Sequence, residues 1–448
     1  MTAKISRRTF AKTTAATTAA AALGLTAASA SRVLGANERI RLGFIGVANR
    51  GCQLIDAFKT QSQAEIAALC DVSQASLDNA LQRYGANLET YHDFRRLLER
   101  KDLDAVVIAT PDHWHAIQTI DACNAGKDVY VEKPVSMTVR EGRKMVEVAR
   151  RTKRVVQVGL HRRSSRLYAQ VAKKIQDDLL GKVTVSRCYH LSNMYPTGIG
   201  KAQPATPPPG LDWDLWLGPR PVEPFRETIA PYRFRWWMLY SSQIANNGVH
   251  FLDTIRWLTG DGGPVRIAAL GGRFAVDDDR TIPDTMQATF ETEPGRLVVF
   301  GQYEANGNPA LPQGGRCELR GTQGTAYVAE STIQVIPERG GQFQDHKPRM
   351  EPMEFKATDF AKEDIRVANL SLTAQHAANF LDCMRSRAVP NCDIEVGHIS
   401  TTYALLANIA LVTRATLEWD PAKEVFTNNP AANDLLHYEY RKPWKLDG

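Results

Sequence analysis

The sequence predicts a two-domain α/β protein in which a parallel sheet, covered by helices on both faces, precedes an antiparallel sheet. Three observations lead to this prediction. The length of 448 residues favours two domains over one. Short apolar runs alternate with helical patterns over residues 40–158, as in doubly wound sheets. Separate strand patterns, divided by turns rich in Gly, Asp and Pro, follow one another over residues 265–335.

The first half alternates strands with helices. Strands are predicted over residues 40–45, 65–70, 105–109, 128–131 and 155–158. Helices are predicted from residue 51 to about residue 59, over 73–84, from 93, over 114–123 and over 138–151. The strands are continuously apolar, which indicates burial on both faces and therefore parallel pairing.

The pattern changes after residue 160. A helix over residues 165–179 and a strand over 183–191 precede an irregular region with a proline cluster at 204–209. Further strands are predicted at 286–291, 296–301, 317–321 and 326–328, and helices over 371–385 and 397–413 close the fold. The neighbouring short strands and tight turns are typical of an antiparallel sheet.

Composition excludes several classes of protein. The chain has 43% hydrophobic and 23% charged residues, as in soluble globular proteins. Its net charge is +6, but the first thirty residues carry four basic and no acidic side chains, and the rest holds 51 basic against 49 acidic residues. This balance does not indicate nucleic-acid binding. The seven scattered cysteines have neither metal-ligand nor disulfide-framework spacing.

Residues 1–30 have the pattern of a twin-arginine export signal. Arg7 and Arg8 lie in a basic segment, which is followed by a mild Ala/Thr/Leu stretch and by the small residues Ala28-Ser29-Ala30. The apolar stretch is too short and too rich in threonine to span a bilayer, so we expect cleavage after Ala30 and no membrane span in the mature chain. The expected location is the periplasm or outside the cell. The alternative is an N-terminal tail with two chance arginines.

The turn after the first strand predicts a dinucleotide site. Gly46, Ala48 and Gly51 differ from the GxGxxG pattern by one methyl group, at Ala48. The turn follows a strand and opens a helix, beginning near Asn49 and Arg50, whose N-terminal amides can hold phosphate. The alternative is a glycine turn that only packs the helix on the strand.

An acid at the end of the second strand favours NAD over NADP. Asp71 lies twenty residues after Gly51, where a carboxylate accepts hydrogen bonds from ribose hydroxyls and repels a 2′-phosphate. Ser73 and Gln74 follow it, where an NADP site would offer arginine. NAD is therefore the predicted cofactor.

Two more strand ends carry polar groups. The residues in question are Thr110, Pro111, His113, Trp114 and His115 after one strand, and Glu132 and Lys133 after the next. The carboxyl ends of parallel strands meet at one edge, where a hydride-transfer enzyme keeps its chemistry. Two histidines without a third ligand are a weak metal signal, so no metal site is predicted.

The chain resembles the glucose-fructose oxidoreductase and inositol dehydrogenase family (Gfo/Idh/MocA). The matching segments are residues 43–51, 109–115, 126–134 and 248–258, and the resemblance covers nearly the whole mature chain. It implies an N-terminal Rossmann domain with a doubly wound parallel sheet. It also implies a C-terminal α/β domain with an open-faced, mostly antiparallel sheet, and a substrate between the nicotinamide and that sheet.

The resemblance gives a domain division and a site. We assign the signal peptide to residues 1–30, the NAD-binding Rossmann domain to 38–160, the substrate and oligomerisation domain to 161–420, and a tail that packs on the fold to 421–448. Lys133 and His250 are implied beside the reacting carbon, and the 110–115 turn beside the nicotinamide. Oxidising an alcohol needs a hydride acceptor and a base, and a desolvated lysine and a histidine suit the proton transfer. The alternatives are a solvated Lys133 and a core His250.

Other residues near this site leave alternatives open. Asp253 either orients the His250 imidazole or pairs with Arg256. Family dehydrogenases often carry an aspartate four residues before this histidine, where this chain has Asn246, which hydrogen-bonds but cannot hold a charge. The segment 161–163 (His-Arg-Arg) either reaches the cofactor or a polar substrate, or is a solvated basic turn.

We predict an exported NAD(H)-dependent oxidoreductase acting on a hydroxyl of a sugar, sugar derivative or cyclitol. The alternative is an enzyme that retains NAD and cleaves glycosides by transient oxidation, elimination and addition of water, which export and Asn246 favour. A third possibility is a binding scaffold that has lost its chemistry. The resemblance also implies a homodimer or tetramer.

Overall fold

The computed structural model describes residues 39–293, 295–312, 315–363 and 370–446. The predicted export signal, residues 1–30, lies outside the described residues. The described part contains two sheets, one formed by the first third of the chain and one by the remainder.

The first sheet is parallel throughout and has the strand order β3-β2-β1-β4-β5-β6. Its strands are β1 (Ile40–Ile45), β2 (Ala64–Cys70), β3 (Glu89–Tyr91), β4 (Ala105–Ile108), β5 (Asp128–Val131) and β6 (Val156–Val158). Its helices are α1 (Asn49–Lys59), α2 (Gln74–Tyr84), α3 (Phe94–Leu98), α4 (His115–Asn124) and α5 (Val139–Thr152). The doubly wound parallel sheet predicted from the sequence is confirmed, and the strand order reverses beside β1, where such sheets bind ligands.

Local sequence accounts for these elements. Every residue of β4 and β5 is buried, which requires the apolar runs seen there. Helix α5 starts at a capping box, in which Thr138 and Glu141 satisfy each other's backbone amides. Helix α2 starts where the Ser73 side chain accepts from the Ser76 amide. The edge strand β3 was not predicted, because three half-exposed residues carry no periodic signal.

The second sheet has eleven strands in the order β15-β14-β13-β12-β7-β10-β9-β8-β16-β17, with β11 pairing to β7. Its strands are β7 (Val183–Asn193), β8 (Pro264–Gly272), β9 (Thr285–Thr292), β10 (Arg296–Tyr303), β11 (Ala305–Asn306), β12 (Cys317–Gly321), β13 (Gly324–Val328), β14 (Thr332–Pro337), β15 (Met353–Lys356), β16 (Leu417–Asp420) and β17 (Val425–Phe426). Within the described residues, every pairing is antiparallel except β7 with β10. The predicted, mostly antiparallel sheet is confirmed.

The two faces of the second sheet differ. One face buries Phe290, Val298 and Phe300 in a large apolar core. The helices of this part are α6 (Arg166–Gln176), α7 (Trp213–Leu217), α8 (Val249–Thr259), α9 (Leu372–Ser386), α10 (Ile394–Thr413) and α11 (Pro430–Asn433). The opposite face presents Leu270, which is 79% exposed, and Leu297, which is 44% exposed. Alternation along the strands produces this difference.

Late segments of the chain return to the first sheet. Phe380 of α9 packs edge-to-face on Phe58 and Tyr130, with ring centroids 6.2 and 5.9 Å apart. Near the C-terminus, Trp444 packs against Trp114, with centroids 4.7 Å apart. Residues assigned by sequence to the second domain and to the tail therefore complete the core of the first.

Helix α10 is long and apolar enough, by length and composition, to cross a membrane. Of its most apolar stretch, 67% is buried inside the fold, where Ala404, Leu406 and Ala407 join the core of the second sheet. That burial is the environment of a core helix.

Candidate active site

A cavity of about 660 Å³ lies at the carboxyl edge of the parallel sheet, a volume typical of cofactor and ligand pockets. Eight of the residues assigned to the cofactor from sequence line it: Gly46, Ala48, Asn49, Arg50, Asp71, Thr110, Pro111 and Trp114. We call this cavity the crevice. It follows the edge at which the strand order reverses, as expected for a dinucleotide site.

The glycine turn of the crevice permits no larger residue at two positions. Gly46 has a φ of +84°, and a Cβ there would lie 2.7 Å from the Ala109 carbonyl carbon and 2.8 Å from the Thr110 nitrogen. A Cβ on Gly51 would lie 2.0 Å from the Gly46 oxygen. Helix α1 follows at once, with no side chain capping its first amides and no acid in its first turn. This backbone fits the pyrophosphate of a dinucleotide.

Asp71 ties the glycine turn to the end of β2. Its carboxylate oxygens accept from the Val47 amide at 2.9 Å and the Ser73 amide at 3.0 Å. Burial raises the pKa of Asp71, and these two hydrogen bonds oppose the rise. The side chain borders the crevice at the position that binds ribose hydroxyls in this fold.

Glu132 lies behind the crevice and orients Arg50. The Arg50 Nε donates to Glu132 Oε1 at 2.7 Å. Burial alone would raise the pKa of Glu132, but the charges of Arg50 and Lys133 outweigh it and hold that pKa below its usual value. The carboxylate rests on Gly159, where a Cβ would come within 2.8 Å of it. Glu132 therefore acts on the crevice through Arg50.

Lys133, which does not itself line the crevice, connects the two parts of the molecule. Its Nζ donates to the backbone oxygen of Asn246 at 2.8 Å. Burial lowers the pKa of Lys133, while the nearby carboxylates of Glu132 and Asp112 oppose the change. Asn246 lies in a π-helical turn, Ile244–Gly248, immediately before α8, a local geometry that is frequent at functional sites.

His250 is the second residue of α8 and is partly exposed. Its ring lies against that of His161, with centroids 5.3 Å apart. Burial lowers the pKa of His250 well below its ordinary value, and the charges of Arg162 and Lys133 lower it further. The Nδ1 atom is buried without a hydrogen-bond partner in the described part of the chain. The imidazole is therefore neutral near pH 7 and able to accept a proton.

These contacts bring Lys133, Asn246 and His250 together. Lys133 holds the backbone one helical turn before His250, and Asn246 Oδ1 accepts from Arg235 Nε at 3.3 Å. Arg235 itself lines the crevice. An amine, an amide and a neutral imidazole thus meet beside the cofactor cavity, where a base would serve an alcohol oxidation.

His113 and His115 do not line the crevice, and their assignment to cofactor binding stays a prediction. His113 is buried, and its Nε2 lies 2.8 Å from the Trp216 oxygen. His115 Nδ1 lies 2.7 Å from the Pro134 oxygen, and its Nε2 lies 3.0 Å from the Thr110 oxygen. Backbone carbonyls engage both ring nitrogens of His115 but only Nε2 of His113, whose Nδ1 is buried without a partner among the described residues. His115 therefore fixes the ends of β4 and β5 relative to each other.

Among the described residues, Asp253 forms no hydrogen bond with His250, and its assignment as a catalytic group stays a prediction. Its carboxylate accepts from Arg163 Nε at 2.9 and 3.0 Å and from Ser400 Oγ at 2.6 Å. The predicted alternative partner, Arg256, donates to Ser400 instead. Asp253 is 1% exposed and anchors α8 to the loop after β6 and to α10.

The segment 161–163 divides among three environments. His161 lies against His250, and Arg163 binds Asp253. Arg162 lines a second cavity of about 430 Å³, which we call the chamber.

Arg235 was not identified from the sequence, because an arginine among aromatic residues carries no sequence signal for a site.

A segment of the second part of the chain crosses the crevice. We call residues 208–235 the strap, since many of them line the crevice opposite the glycine turn. The Gln74 amide donates to the Gly210 oxygen at 2.8 Å, and the Asp212 amide donates to the Val72 oxygen at 2.9 Å. These bonds join the strap to the loop after β2, on the adenosine side of the crevice.

Neither metal nor disulfide chemistry is indicated in the part of the chain that the structure describes. No group of three or more His, Cys, Asp or Glu side chains there is arranged to hold a metal ion. The seven cysteines are all buried there as free thiols.

Three family models match the chain, and all three describe the same oxidoreductase family. The NAD-binding Rossmann fold of the oxidoreductase family matches residues 40–160. The Gfo/Idh/MocA C-terminal domain matches residues 217–327, and a C-terminal α/β domain of the oxidoreductase family matches residues 352–446. The matches cover the whole of the first sheet and most strands of the second.

Curated relatives match a smaller part. The chain is 38% identical over 125 residues to glycosyl hydrolase family 109 protein 1 from Shewanella sp. strain ANA-3, covering 26% of this chain and 27% of that relative. The match thus spans a minor part of the relative's length.

Solved structures share the whole fold at low identity. The WlbA dehydrogenase from Chromobacterium violaceum, in complex with NADH and UDP-GlcNAcA, has a TM-score of 0.64 and 18% identity, covering 86% of this chain and 96% of that one. Scyllo-inositol dehydrogenase from Lactobacillus casei, with bound NAD(H) and scyllo-inositol, has a TM-score of 0.59 and 19% identity, covering 85% and 99%. Both likenesses establish the fold.

Proposed function

The chain belongs to the Gfo/Idh/MocA oxidoreductase family, and from this premise we propose that it is an exported NAD(H)-dependent enzyme that oxidises or reduces a hydroxyl-bearing carbon of a sugar, sugar derivative or cyclitol. The observation that carries the proposal is the hydrogen bond from Lys133 Nζ to Asn246, one turn before His250. It joins a strand end of the NAD-binding fold to the helix that presents a neutral imidazole.

The residues divide the chemistry of an alcohol oxidation among them. NAD, when bound, supplies the hydride acceptor. His250 is the group that accepts the hydroxyl proton, because its imidazole is neutral: burial and the charges of Arg162 and Lys133 hold its pKa below the ordinary value and keep a ring nitrogen unprotonated. Lys133 polarises the reacting oxygen, and the Asn246 amide can hold a neighbouring hydroxyl. The glycine turn and Asp71 bind the dinucleotide's pyrophosphate and ribose.

The test is nicotinamide absorbance during incubation with a panel of sugars and cyclitols. We expect an absorbance change at 340 nm whose amplitude scales with one class of carbohydrate. Tight NAD binding without any redox change across the panel would contradict a net dehydrogenase.

The strap favours a second candidate, a glycosidase that keeps its NAD through the cycle. Two backbone hydrogen bonds close the strap over the adenosine side of the crevice, which slows exchange of a bound dinucleotide. The curated relatives include glycosyl hydrolase family 109 proteins, and the chain shares about a quarter of their length. In this reaction, oxidation of one ring carbon with hydride transfer to the retained NAD would acidify the adjacent C–H, the glycosidic bond would be eliminated, water would add back, and return of the same hydride would reduce the ring carbon and regenerate NAD.

One experiment separates the two candidates. The purified protein, without added nucleotide, is given an aryl glycoside, and release of the aglycone is followed. Sustained release supports the glycosidase, whereas a single stoichiometric oxidation supports the dehydrogenase. Mass analysis of the purified protein shows which nucleotide it carries.

Export and assembly are part of the same proposal. Arg7 and Arg8 support twin-arginine transport, with no membrane span after cleavage. Replacing both by lysine is expected to leave the protein in the cytoplasmic fraction. The exposed Leu270 and Leu297 on the outer face of the second sheet support a homodimer or tetramer, which light scattering measures.

A further inference from the structure

We propose that the substrate is an anionic sugar, whose carboxylate or sulfate group is bound in the chamber by Arg162 and Arg316. The proposal rests on the proposed function, since it names the class of carbohydrate that reaches the same reaction centre. It assigns a role to a cavity and to two arginines that the chemistry of alcohol oxidation does not use.

The chamber adjoins the reaction centre, which consists of Lys133, Asn246 and His250. Arg235 lines the crevice and hydrogen-bonds to Asn246, while the next residue, Asn247, lines the chamber. Phe251, which follows His250, also lines the chamber. The chamber therefore begins one residue away from Asn246 and from His250. On the proposal, a substituent of a sugar ring held at Lys133 and His250 reaches the chamber past these two residues.

The Arg162 guanidinium is positioned to bind an anion. Its guanidinium lies over the Phe251 ring, 5.2 Å from the centroid, which fixes its plane. One of its terminal nitrogens is buried without a hydrogen-bond partner among the described residues. Its neighbour Arg163 is bound to Asp253, and Arg50 is bound to Glu132. A buried guanidinium nitrogen without a partner is uncommon and indicates a ligand at that position.

The charges of the chamber favour the same ligand. The lining has two arginines, Arg162 and Arg316, and one carboxylate, Glu330. Among the described residues, none of these three forms an ion pair within 4.0 Å. His190 also faces the chamber and lies 3.7 Å from Glu304, whose other oxygen is bound by Arg280. The excess charge is positive.

Neutral hydroxyls would satisfy this site poorly. A guanidinium binds the two oxygens of a carboxylate or sulfate with parallel hydrogen bonds, which are about twice as strong as bonds to neutral oxygen. Tyr168 and Thr254 also line the chamber, but their hydroxyls donate to the backbone oxygens of Ala329 at 2.9 Å and His250 at 2.8 Å. The chamber thus has the composition of an oxyanion pocket, with the two guanidinium groups as its charged donors.

The test compares matched neutral and acidic sugars by calorimetric binding to the NAD-loaded protein. Glucose is paired with glucuronic acid and with glucose 6-sulfate, and galactose with galacturonic acid. We expect at least one acidic member to bind about 10- to 100-fold more tightly than its neutral partner, as charge-assisted hydrogen bonds allow. The uronic acid and sulfate arms decide which oxyanion fits. Equal binding throughout overturns the proposal.

Two variants test whether Arg162 and Arg316 cause the preference for acidic sugars. Arg162→Gln is expected to remove most of it, and Arg316→Gln part of it, with little change for the neutral sugars. Arg316 is exposed, so its variant keeps the test decisive if Arg162→Gln does not fold. Lys182→Gln, exposed and outside both cavities, is the matched control. A preference unchanged in both arginine variants overturns the assignment.

Measurements of binding and of turnover test the chamber and the proposed function separately. Arginine-dependent binding of acids without any turnover would support the chamber and refute the proposed function. Turnover of neutral sugars with no preference for acids would support the proposed function and refute the role of the chamber.

Discussion

The crevice and the chamber both adjoin residues 246–247 but are built differently. The phosphate-binding part of the crevice is shaped by backbone, namely the glycine turn and the open end of α1, and backbone hydrogen bonds hold the strap across the crevice. The chamber is shaped by side chains from separate elements, among them Arg162, His190 and Arg316. A backbone site binds what all members of a fold share, whereas a side-chain site can change its ligand without changing the fold.

This difference predicts how the two regions respond to substitution. Damage at the crevice or at the reaction centre should remove activity toward every substrate. Damage at the chamber should change which sugar is used. The predictions below test that contrast, beginning with the largest effect.

Lys133→Ala removes the amine from the reaction centre formed by Lys133, Asn246 and His250. We expect kcat to fall by about 10²- to 10⁴-fold, the usual contribution of a positioned acid or base. The loss should be similar for neutral and acidic sugars, because Lys133 holds Asn246 and the reacting oxygen. Steady-state kinetics on both classes checks this.

The control is Lys173→Ala, which removes an exposed lysine of α6. It should leave kcat within twofold, since surface substitutions of this kind act weakly. If Lys133→Ala retained full turnover, the protein would be better described as a binding scaffold.

Gly46→Ala tests the crevice as a backbone site. The added Cβ would meet the Ala109 carbonyl carbon at 2.7 Å, at a φ of +84°. We expect about 1–3 kcal/mol of strain and a loss of NAD affinity of about 10- to 100-fold. Fluorescence titration with NADH measures the affinity.

Gly126→Ala separates steric contact from backbone strain. Gly126 has a φ of +80°, but a Cβ there meets nothing within 4 Å. Its variant should lose stability and keep NAD affinity. Equal loss of affinity in both variants would show that strain alone, and not the approach to Ala109, disrupts the crevice.

Gln74→Pro tests the strap. It removes the amide that donates to Gly210, and proline is tolerated because Gln74 is the first residue of α2 and Ser73 before it is extended. Losing one such bond should raise the NAD dissociation rate by about 2- to 10-fold. Stopped-flow displacement of the bound nucleotide gives the rate.

Gln74→Ala keeps the amide and loses only the side-chain contacts with Asp78 and His92. Its dissociation rate should match that of the unmodified protein. A faster rate in both variants would place the effect in the side chain and leave the strap without a role in retention.

The contrast also explains what the sequence could predict. Gly46 and Asp71 were predicted because the glycine turn and the acid that follows it lie within thirty residues of each other. The parallel sheet was predicted because its buried strands are continuously apolar. Lys133 was found because it ends such a strand. Each of these signals is local along the chain.

Other features depend on contacts between distant residues. The sequence left Asp253 with two nearby candidate partners, His250 and Arg256, but its hydrogen-bond partners Arg163 and Ser400 lie 90 and 147 residues away. Arg235, the strap and the packing of α9 on the first sheet have no periodic or motif signal. Tertiary contact decides these cases, and nothing in local spacing reports it.

The smallest predicted effect concerns pH and the coupling of the chamber to His250. Burial and then the charge of Arg162 lower the pKa of His250, so its neutral form persists as the pH falls. Activity on a neutral sugar should therefore decline only below about pH 6.5, where a free histidine titrates. Arg162→Gln removes one positive neighbour, so the pKa of His250 should rise and the acid limb of the kcat profile should move to higher pH.

Arg316→Gln is the control. Arg316 is exposed at the rim of the chamber, where solvent screens its charge, so this variant should leave the acid limb in place. A limb unmoved in both variants would show that the chamber does not influence the base, and an equal shift in both would mean that overall charge acts at long range.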